Sequence, residues 1–383
     1  MRHAVIVEAV RTPVGRRNGV LSNVRAEDLA AEPLKALIQR TNIDPMLIDD
    51  VIYGCVTQSG EQGGDIARQA ALIANYPTDV PGTTIDRQCG SSQQAVHFAA
   101  QAILSGDMDV VVAGGVESMT RVPMFSNRNN VNYSEKLTEK HAMIHQGLSA
   151  EMIAEKWGFS RKMMDEFSLQ SHEKAIYAQK NDYFVDEIMP LNVDLEDGTK
   201  KVIKADEGPR KDTSIQALSE LKPVFKENGG VTAGNASQMS DGAAALLMMS
   251  DKKAAELGFN PRFKITTRVV VGSDPTLMLT GPIPATKKAL AKAHLSIHDI
   301  DIFEVNEAFA SVPLAWLKET GADPQKLNPN GGAIALGHPL GASGARLMIT
   351  MMYALERTGG KYGLQTMCEG FGMANATIIE RID

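Results

Sequence analysis

The feature that most constrains the fold of this chain is a pattern that occurs twice. In the first part, Lys35-Ala36-Leu37 is followed by Asp50-Val51-Ile52-Tyr53-Gly54-Cys55. In the second, Lys288-Ala289-Leu290 is followed by Asp301-Ile302-Phe303-Glu304-Val305-Asn306, at nearly the same separation. Likewise Cys89-Gly90-Ser91-Ser92 opens an apolar-periodic helix and then a strand reaching Gly114-Gly115, while Gly341-Ala342-Ser343-Gly344 opens a helix and then a strand reaching Cys368. Short β-branched runs such as Ala4 to Val7, alternating with helical spacing such as Leu29 to Ile38, mark an α/β chain with largely parallel strands. A duplicated α/β unit is the economical explanation, and it lets strand ends from both halves converge. From about Glu117 to Gln238 the texture turns polar and irregular, with a helical stretch near Ala150 to Gln179. That span is too long for a loop and reads as a lid or subdomain. The expected division is 1–117 with 239–257 as one half, 118–238 as the insertion, and 258–383 as the other half.

Bulk properties close several doors. The formal charge of -7 lacks the basic field a general nucleic-acid binder needs. The longest apolar run, Ala243 to Met249, falls far short of the roughly 20 residues that span a bilayer. Met1-Arg2-His3 leads straight into Ala4 to Val7 without a signal or transit pattern, so the cytoplasm is the expected address. The three cysteines, Cys55, Cys89 and Cys368, are an odd and sparse set that suits a reducing compartment, not a disulfide framework.

Two of those thiols lie in motifs. Cys89, in Asp86-Arg87-Gln88-Cys89-Gly90-Ser91-Ser92, stands where a strand gives way to a helix, and the helix dipole favours a thiolate there. Moving a thiol from about 8.5 to 7 needs roughly 2 kcal/mol. The dipole supplies only about 0.3–1 kcal/mol, so a base or cation is required nearby. Taken alone, Cys89 also reads as a small buried apolar residue. His338 lies in the glycine-rich run Asn330 to Gly344, whose composition suits close backbone approach to a ligand better than core packing. Cys368 ends a strand before Gly370 and Gly372, whose N–H groups could cradle an oxyanion, and Asn306-Glu307 ends another strand. No P-loop, Rossmann fingerprint or serine elbow occurs. His141 and His145 have ligand-like spacing but no supporting partner, so no metal is expected.

Arg87-Gln88-Cys89-Gly90-Ser91-Ser92, Asn306-Glu307-Ala308-Phe309-Ala310, Gly331 to Gly341 around His338, and Cys368-Glu369-Gly370-Phe371-Gly372 occur in an order and at intervals that resemble the thiolase family, degradative 3-ketoacyl-CoA thiolases or acetyl-CoA acetyltransferases. The resemblance covers essentially the whole chain. It implies the thiolase-like fold, two duplicated α/β halves in five layers with an inserted loop domain. It also implies that Cys89 takes the acyl group as a thioester, that His338 draws off its proton, and that Cys368 moves a proton at the α-carbon of acetyl-CoA. One oxyanion site would use His338 and a water held by Asn306, the other the backbone N–H groups of Cys89 and Gly370.

Coenzyme A and acyl-CoA would be substrates, with no tightly bound cofactor. Residues 200 to 226 hold seven Lys/Arg against four Asp/Glu, which suits nucleotide phosphates as well as a solvated charged face. By resemblance Arg210 would reach the nucleotide end, Phe225 would border the pantetheine tunnel, Ser237 would bond the pantetheine, and His145 would stand at its wall. Gln146-Gly147 follows His145 where relatives have Met-Gly, which alters the acyl pocket. Cys55 matches no motif position and reads as a buried structural thiol.

Asp86 to Cys89 and Gly60 to Ala67 look closer to enzymes of fatty-acid or sterol side-chain β-oxidation. Met278 near Gly281-Pro282-Ile283-Pro284 looks like the short-chain acetyl-CoA C-acetyltransferases. Remoter alternatives are a decarboxylating ketoacyl synthase, which would pair the cysteine with two histidines, and a non-catalytic CoA- or lipid-binding paralogue, which would be expected to lose Cys89. The family implies a homodimer or homotetramer, with a hydratase/dehydrogenase as a possible partner.

Overall fold

The computed structural model describes residues 2–129, 131–194 and 198–382. The first half runs β1 (Ala4–Arg11), α1 (Ala26–Thr41), β2 (Asp50–Gly54), α2 (Ile66–Ile73), β3 (Gly82–Ile85), α3 (Ser91–Ser105) and β4 (Val110–Ser118). The chain then leaves the sheet, forms α4 (Gln146–Trp157) and α5 (Arg161–Lys180), and returns as β5 (Ser240–Ser250). The second half runs β6 (Phe263–Gly272), α6 (Pro282–Ala293), β7 (Ile302–Val305), α7 (Ser311–Thr320), α8 (Leu340–Thr358), β8 (Tyr362–Glu369) and β9 (Met373–Arg381).

Pairing repeats between the halves. Strand β2 lies parallel to β3 and β4, which continues antiparallel through β5 to β1. Strand β7 lies parallel to β8, which continues antiparallel through β9 to β6, and a parallel bridge from Phe303 to Leu327 stands where β3 stands in the first half. The two sheets meet where Val5 and Ile6 of β1 pair with Lys264 and Phe263 of β6.

The period-two alternation of strands explains the layering. In β5, Ala243, Ala245, Leu247 and Met249 pack outward against α1 and α2, and Ala244, Leu246 and Met248 pack inward against α3 and α8. The second sheet does the same, with Phe303, Val305 and Ala376 turned toward α6 and Trp316 of α7. Five layers result, with α3 and α8 buried between two sheets. These two helices approach closely at Gly344, where a Cβ would lie 2.3 Å from the Gln93 amide nitrogen. Strand ends β3, β7 and β8 carry Cys89, Asn306 and Cys368 to one region. The helical stretch expected near Ala150 to Gln179 is two helices, because Gly158 turns left-handed at φ 72 and caps the first.

Candidate active site

Cys89 sits in a tight turn between β3 and α3. Asp86 Oδ1 accepts from the Gln88 amide at 2.6 Å, and Ser91 Oγ accepts from the Arg87 amide at 2.9 Å. These bonds hold Gln88 at φ 49, a left-handed conformation that costs a non-glycine residue about 1–2 kcal/mol and lifts the next side chain out of the helix line. Cys89 is thereby half-buried against Val56, Met119, Met124 and Leu340. Burial, followed by the acidic groups Glu369, Glu117 and Asp86, pushes its thiol up to about 12, against a smaller lowering by a backbone N–H. Desolvation thus opposes the thiolate that the helix start favours, so Cys89 rests as a thiol and the need for a nearby base, already implied by the dipole's small contribution, is greater still.

His338, which lines the same cavity as Cys89, has a fixed tautomer. Gly337, at φ 97, turns the chain so that the imidazole enters the interior. Ser343 Oγ donates to the Pro339 carbonyl at 2.8 Å and has lone pairs left for the His338 Nδ1–H at 2.6 Å. The proton is therefore on Nδ1, and Nε2 presents its lone pair to Asn306 Nδ2, 3.4 Å away. Burial, aided by the charge of Arg346, brings the His338 pKa down to about 3, so the ring is neutral. Asn306 is anchored by its amide N–H to the Thr366 carbonyl at 3.1 Å. Its Oδ1 has no partner among the described residues.

Cys368 is fully buried on β8, beside Phe309, Met278 and Leu279. Burial pushes its thiol well above the ordinary range, and the charge on Cys89 adds to the rise, so the two sulfurs share one electrostatic environment. Gly370 begins the turn between β8 and β9, and a Cβ there would meet Gln88 Oε1 at 2.8 Å. The turn after Cys368 thus abuts the turn that holds Cys89.

A cavity of about 660 Å³ brings Cys89 and His338 together with His145, Arg210, Phe225 and Ser237. Cys368, Asn306 and Gly370 lie behind this lining. His145 caps α4, its Nδ1 accepting from the Gly147 amide at 3.1 Å, and stacks on Phe225 with centroids 5.0 Å apart. Phe225 meets Phe309 edge-on at 5.9 Å. Ser237 is fixed by its amide to the Ala308 carbonyl at 3.0 Å. Arg210 also lines a second chamber of about 600 Å³ whose charged lining includes Arg16, Lys211, Glu207 and Asp212, Arg16 being paired with Glu207 at 3.1 Å, and the two chambers share Arg16 and Arg210. Among the described residues no group of three or more His, Cys, Asp or Glu could hold a metal ion. No described helix is long and apolar enough to cross a membrane.

Two further residues support the site. Ser343, which fixes the His338 tautomer, was signalled by a hydroxyl five residues after the histidine. Buried Glu117 accepts from the amides of Val56, Thr57 and Gly341 and from Gln62 Nε2 at 2.8–3.0 Å, binding the loop after β2 to the start of α8. Cys55, on that same loop, is fully buried within the first core.

The family description "Thiolase, N-terminal domain" matches residues 4–252, and "Thiolase, C-terminal domain" matches residues 259–381. A steroid 3-ketoacyl-CoA thiolase of Mycobacterium tuberculosis is 50% identical over 393 residues, covering 100% of this chain and 95% of that protein. A 3-ketoacyl-CoA thiolase of Aliivibrio fischeri is 46% identical, with 100% of both chains covered. The crystal structure of the Bacillus anthracis acetyl-CoA acetyltransferase superposes with a TM-score of 0.92 at 39% identity, over 100% of this chain and 99% of that one.

Proposed function

The chain belongs to the thiolase family, and from that premise we propose that it cleaves a 3-oxoacyl-CoA with CoA, giving acetyl-CoA and an acyl-CoA shortened by two carbons. The observation that carries this is the neutral His338, with Nε2 unprotonated, lining the same cavity as the Cys89 thiol.

In the first step Nε2 takes the thiol proton while Sγ bonds to the 3-carbonyl carbon. The resulting oxyanion is met by the backbone N–H groups of Cys89 and Gly370, while the His338 N–H and a water held on Asn306 hold the thioester oxygen of the departing acetyl-CoA as it takes up the negative charge. Collapse of the oxyanion breaks the bond between carbons 2 and 3 and leaves the acyl group on Cys89. The carbanion of the departing acetyl-CoA takes a proton from Cys368, whose raised pKa keeps it protonated. In the second step the incoming CoA thiol gives its proton to Cys368 and attacks the thioester. The Cys89 and Gly370 N–H groups hold the oxyanion, each such donor contributing about 3 kcal/mol. Cys89 leaves as thiolate and recovers its proton from His338.

We assign the phosphates of CoA to the chamber of Arg16, Arg210 and Lys211, and its pantetheine to the passage past Phe225, His145 and Ser237 in the loop domain 118–238. Both CoA species are substrates, with no resident cofactor. We further propose the cytoplasm as its compartment, since working thiols need reducing conditions, a homodimer or homotetramer as its assembly, and a hydratase/dehydrogenase as the kind of enzyme that supplies its substrate.

The relatives named for 3-ketoacyl-CoA favour degradation, of fatty-acid or sterol side chains. The acetyltransferase likeness supports the second reading, synthesis of acetoacetyl-CoA. Mass spectrometry after incubation with acetyl-CoA should find a labile acetyl group on Cys89, and its absence would refute the covalent route. Comparing kcat/KM for acetoacetyl-CoA and a longer 3-oxoacyl-CoA decides between the readings. Turnover of the four-carbon substrate alone would eliminate degradation.

A further inference from the structure

One carboxyl beside the reacting thiols has no part in these steps. Glu369 follows Cys368 in β8, so its side chain leaves the strand on the opposite face. Cys368 faces the cluster around Phe309, and Glu369 faces the start of α3. Its carboxyl lies against Gly90, the residue after Cys89: a Cβ on Gly90 would come 2.0 Å from Glu369 Oε1 and 2.8 Å from Asn375 Nδ2.

The Glu369 side chain is fully buried, and neither of its oxygens has a hydrogen-bond partner among the described residues. Asn375 Nδ2 donates one N–H to the Gly90 carbonyl at 3.1 Å and makes no hydrogen bond to the carboxyl. The titratable and charged groups around the carboxyl are Arg87 and Asp86 from the turn before α3, Cys89 beyond Gly90, and Cys368 on its own strand. Strand β9 offers only Met373 and Asn375, and Arg87 turns one guanidinium nitrogen to Met373 Sδ at 3.9 Å. A carboxylate buried without hydrogen bonds is costly, so the group holds its proton. Burial raises its pKa to about 8, with Arg87 opposing and Asp86 reinforcing the rise.

We propose that Glu369 is a positioning residue that controls the ionisation of Cys89 through its own charge: as a neutral acid it leaves thiolate formation to His338, and as a carboxylate beneath Gly90 it suppresses it. Ionisation sends the Glu369 proton to solvent and puts a negative charge beside a sulfur that must itself become negative. Reactivity of Cys89 then climbs less steeply through about pH 8 to 9 than that of an isolated thiol. The inference rests on Cys89 as the nucleophile, but its test needs no acyl substrate.

The experiment is alkylation of the full chain by iodoacetamide between about pH 6.5 and 9.5, followed on the Cys89 peptide by mass spectrometry. Glu369→Gln should react within twofold of the wild type at the acid end and roughly fivefold faster at about pH 9, a coupling of one pKa unit reaching a factor of ten once Glu369 is fully ionised. Glu369→Asp, which keeps an acid, should follow the wild type. A ratio that is constant with pH, or superimposed curves, would overturn the proposal. If Glu369→Gln fails to fold, the wild-type curve decides alone: a break to a shallower slope near pH 8 supports the proposal, and a constant slope across the range overturns it. Absence of acetylation by acetyl-CoA would count against the thiolase chemistry and leave these curves unaffected.

Discussion

A histidine works as a base only through the nitrogen that carries a lone pair, and at His338 that choice is made by Ser343. Ser343→Ala removes the acceptor for Nδ1–H, whose worth grows as the ring becomes charged in the transition state. Such bonds contribute about 1.5–3 kcal/mol, so kcat should fall roughly tenfold to a hundredfold with KM little changed, in steady-state thiolysis. Cys368→Ser should still take an acetyl group on Cys89 by mass spectrometry but lose about a hundredfold or more in condensation, the usual range for a lost acid-base group. Cys89→Ser should do neither, and full condensation by Cys368→Ser would contradict the proton-moving role. Cys89 and His338 were legible in the sequence because each sits in an unbroken local motif. Glu117 was not, because its partners come from residues 56, 57, 62 and 341 and meet only in the fold. The sign of the Cys89 shift was also hidden, since a helix start is visible in sequence and desolvation is not.

At the scale of elements, Gly147 shows how one helix start serves the cavity. A Cβ there would come 2.3 Å from the Phe225 ring, which stacks on His145 at 5.0 Å. Gly147→Ala should displace that ring, raising KM for CoA substrates severalfold with a smaller effect on kcat. It should also cost about 1–3 kcal/mol in denaturant unfolding, as overpacking does. The strands were legible because buried β-branched runs with period two have few alternatives. Helix α8 was less so: Ser343, Arg346 and Thr350 look like a solvated stripe, yet all three are buried because sheets cover both sides of the helix. The split at Gly158 escaped notice because one glycine within helical spacing does not by itself end a helix.

For the whole molecule, buried titratable groups set a narrow optimum of stability. Glu304 and Glu369 are both raised to about 8 by burial, so above their ordinary range the folded chain keeps protons that the unfolded chain has lost, and stability falls as pH rises toward 8. His97 and His338, lowered to about 3, and His172, lowered to about 4, act oppositely, the unfolded chain gaining protons as pH falls below 6.5. Each group contributes a slope of up to about 1.4 kcal/mol per pH unit. Urea unfolding should therefore show greatest stability near pH 6.5, and Glu304→Gln should make the alkaline side shallower whatever it costs overall. A slope unchanged by that substitution would remove Glu304 from the account. The pairing of β1 carries a separate consequence, for synthesis. Its partners are β5 and β6, which begin at Ser240 and Phe263. At about 5–20 residues per second, the first strand made waits roughly 12–50 s on the ribosome before either neighbour exists. Its apolar edges, Ala4 to Val10, are then open to any other strand, so the yield of this protein depends on what shields a nascent chain during that interval.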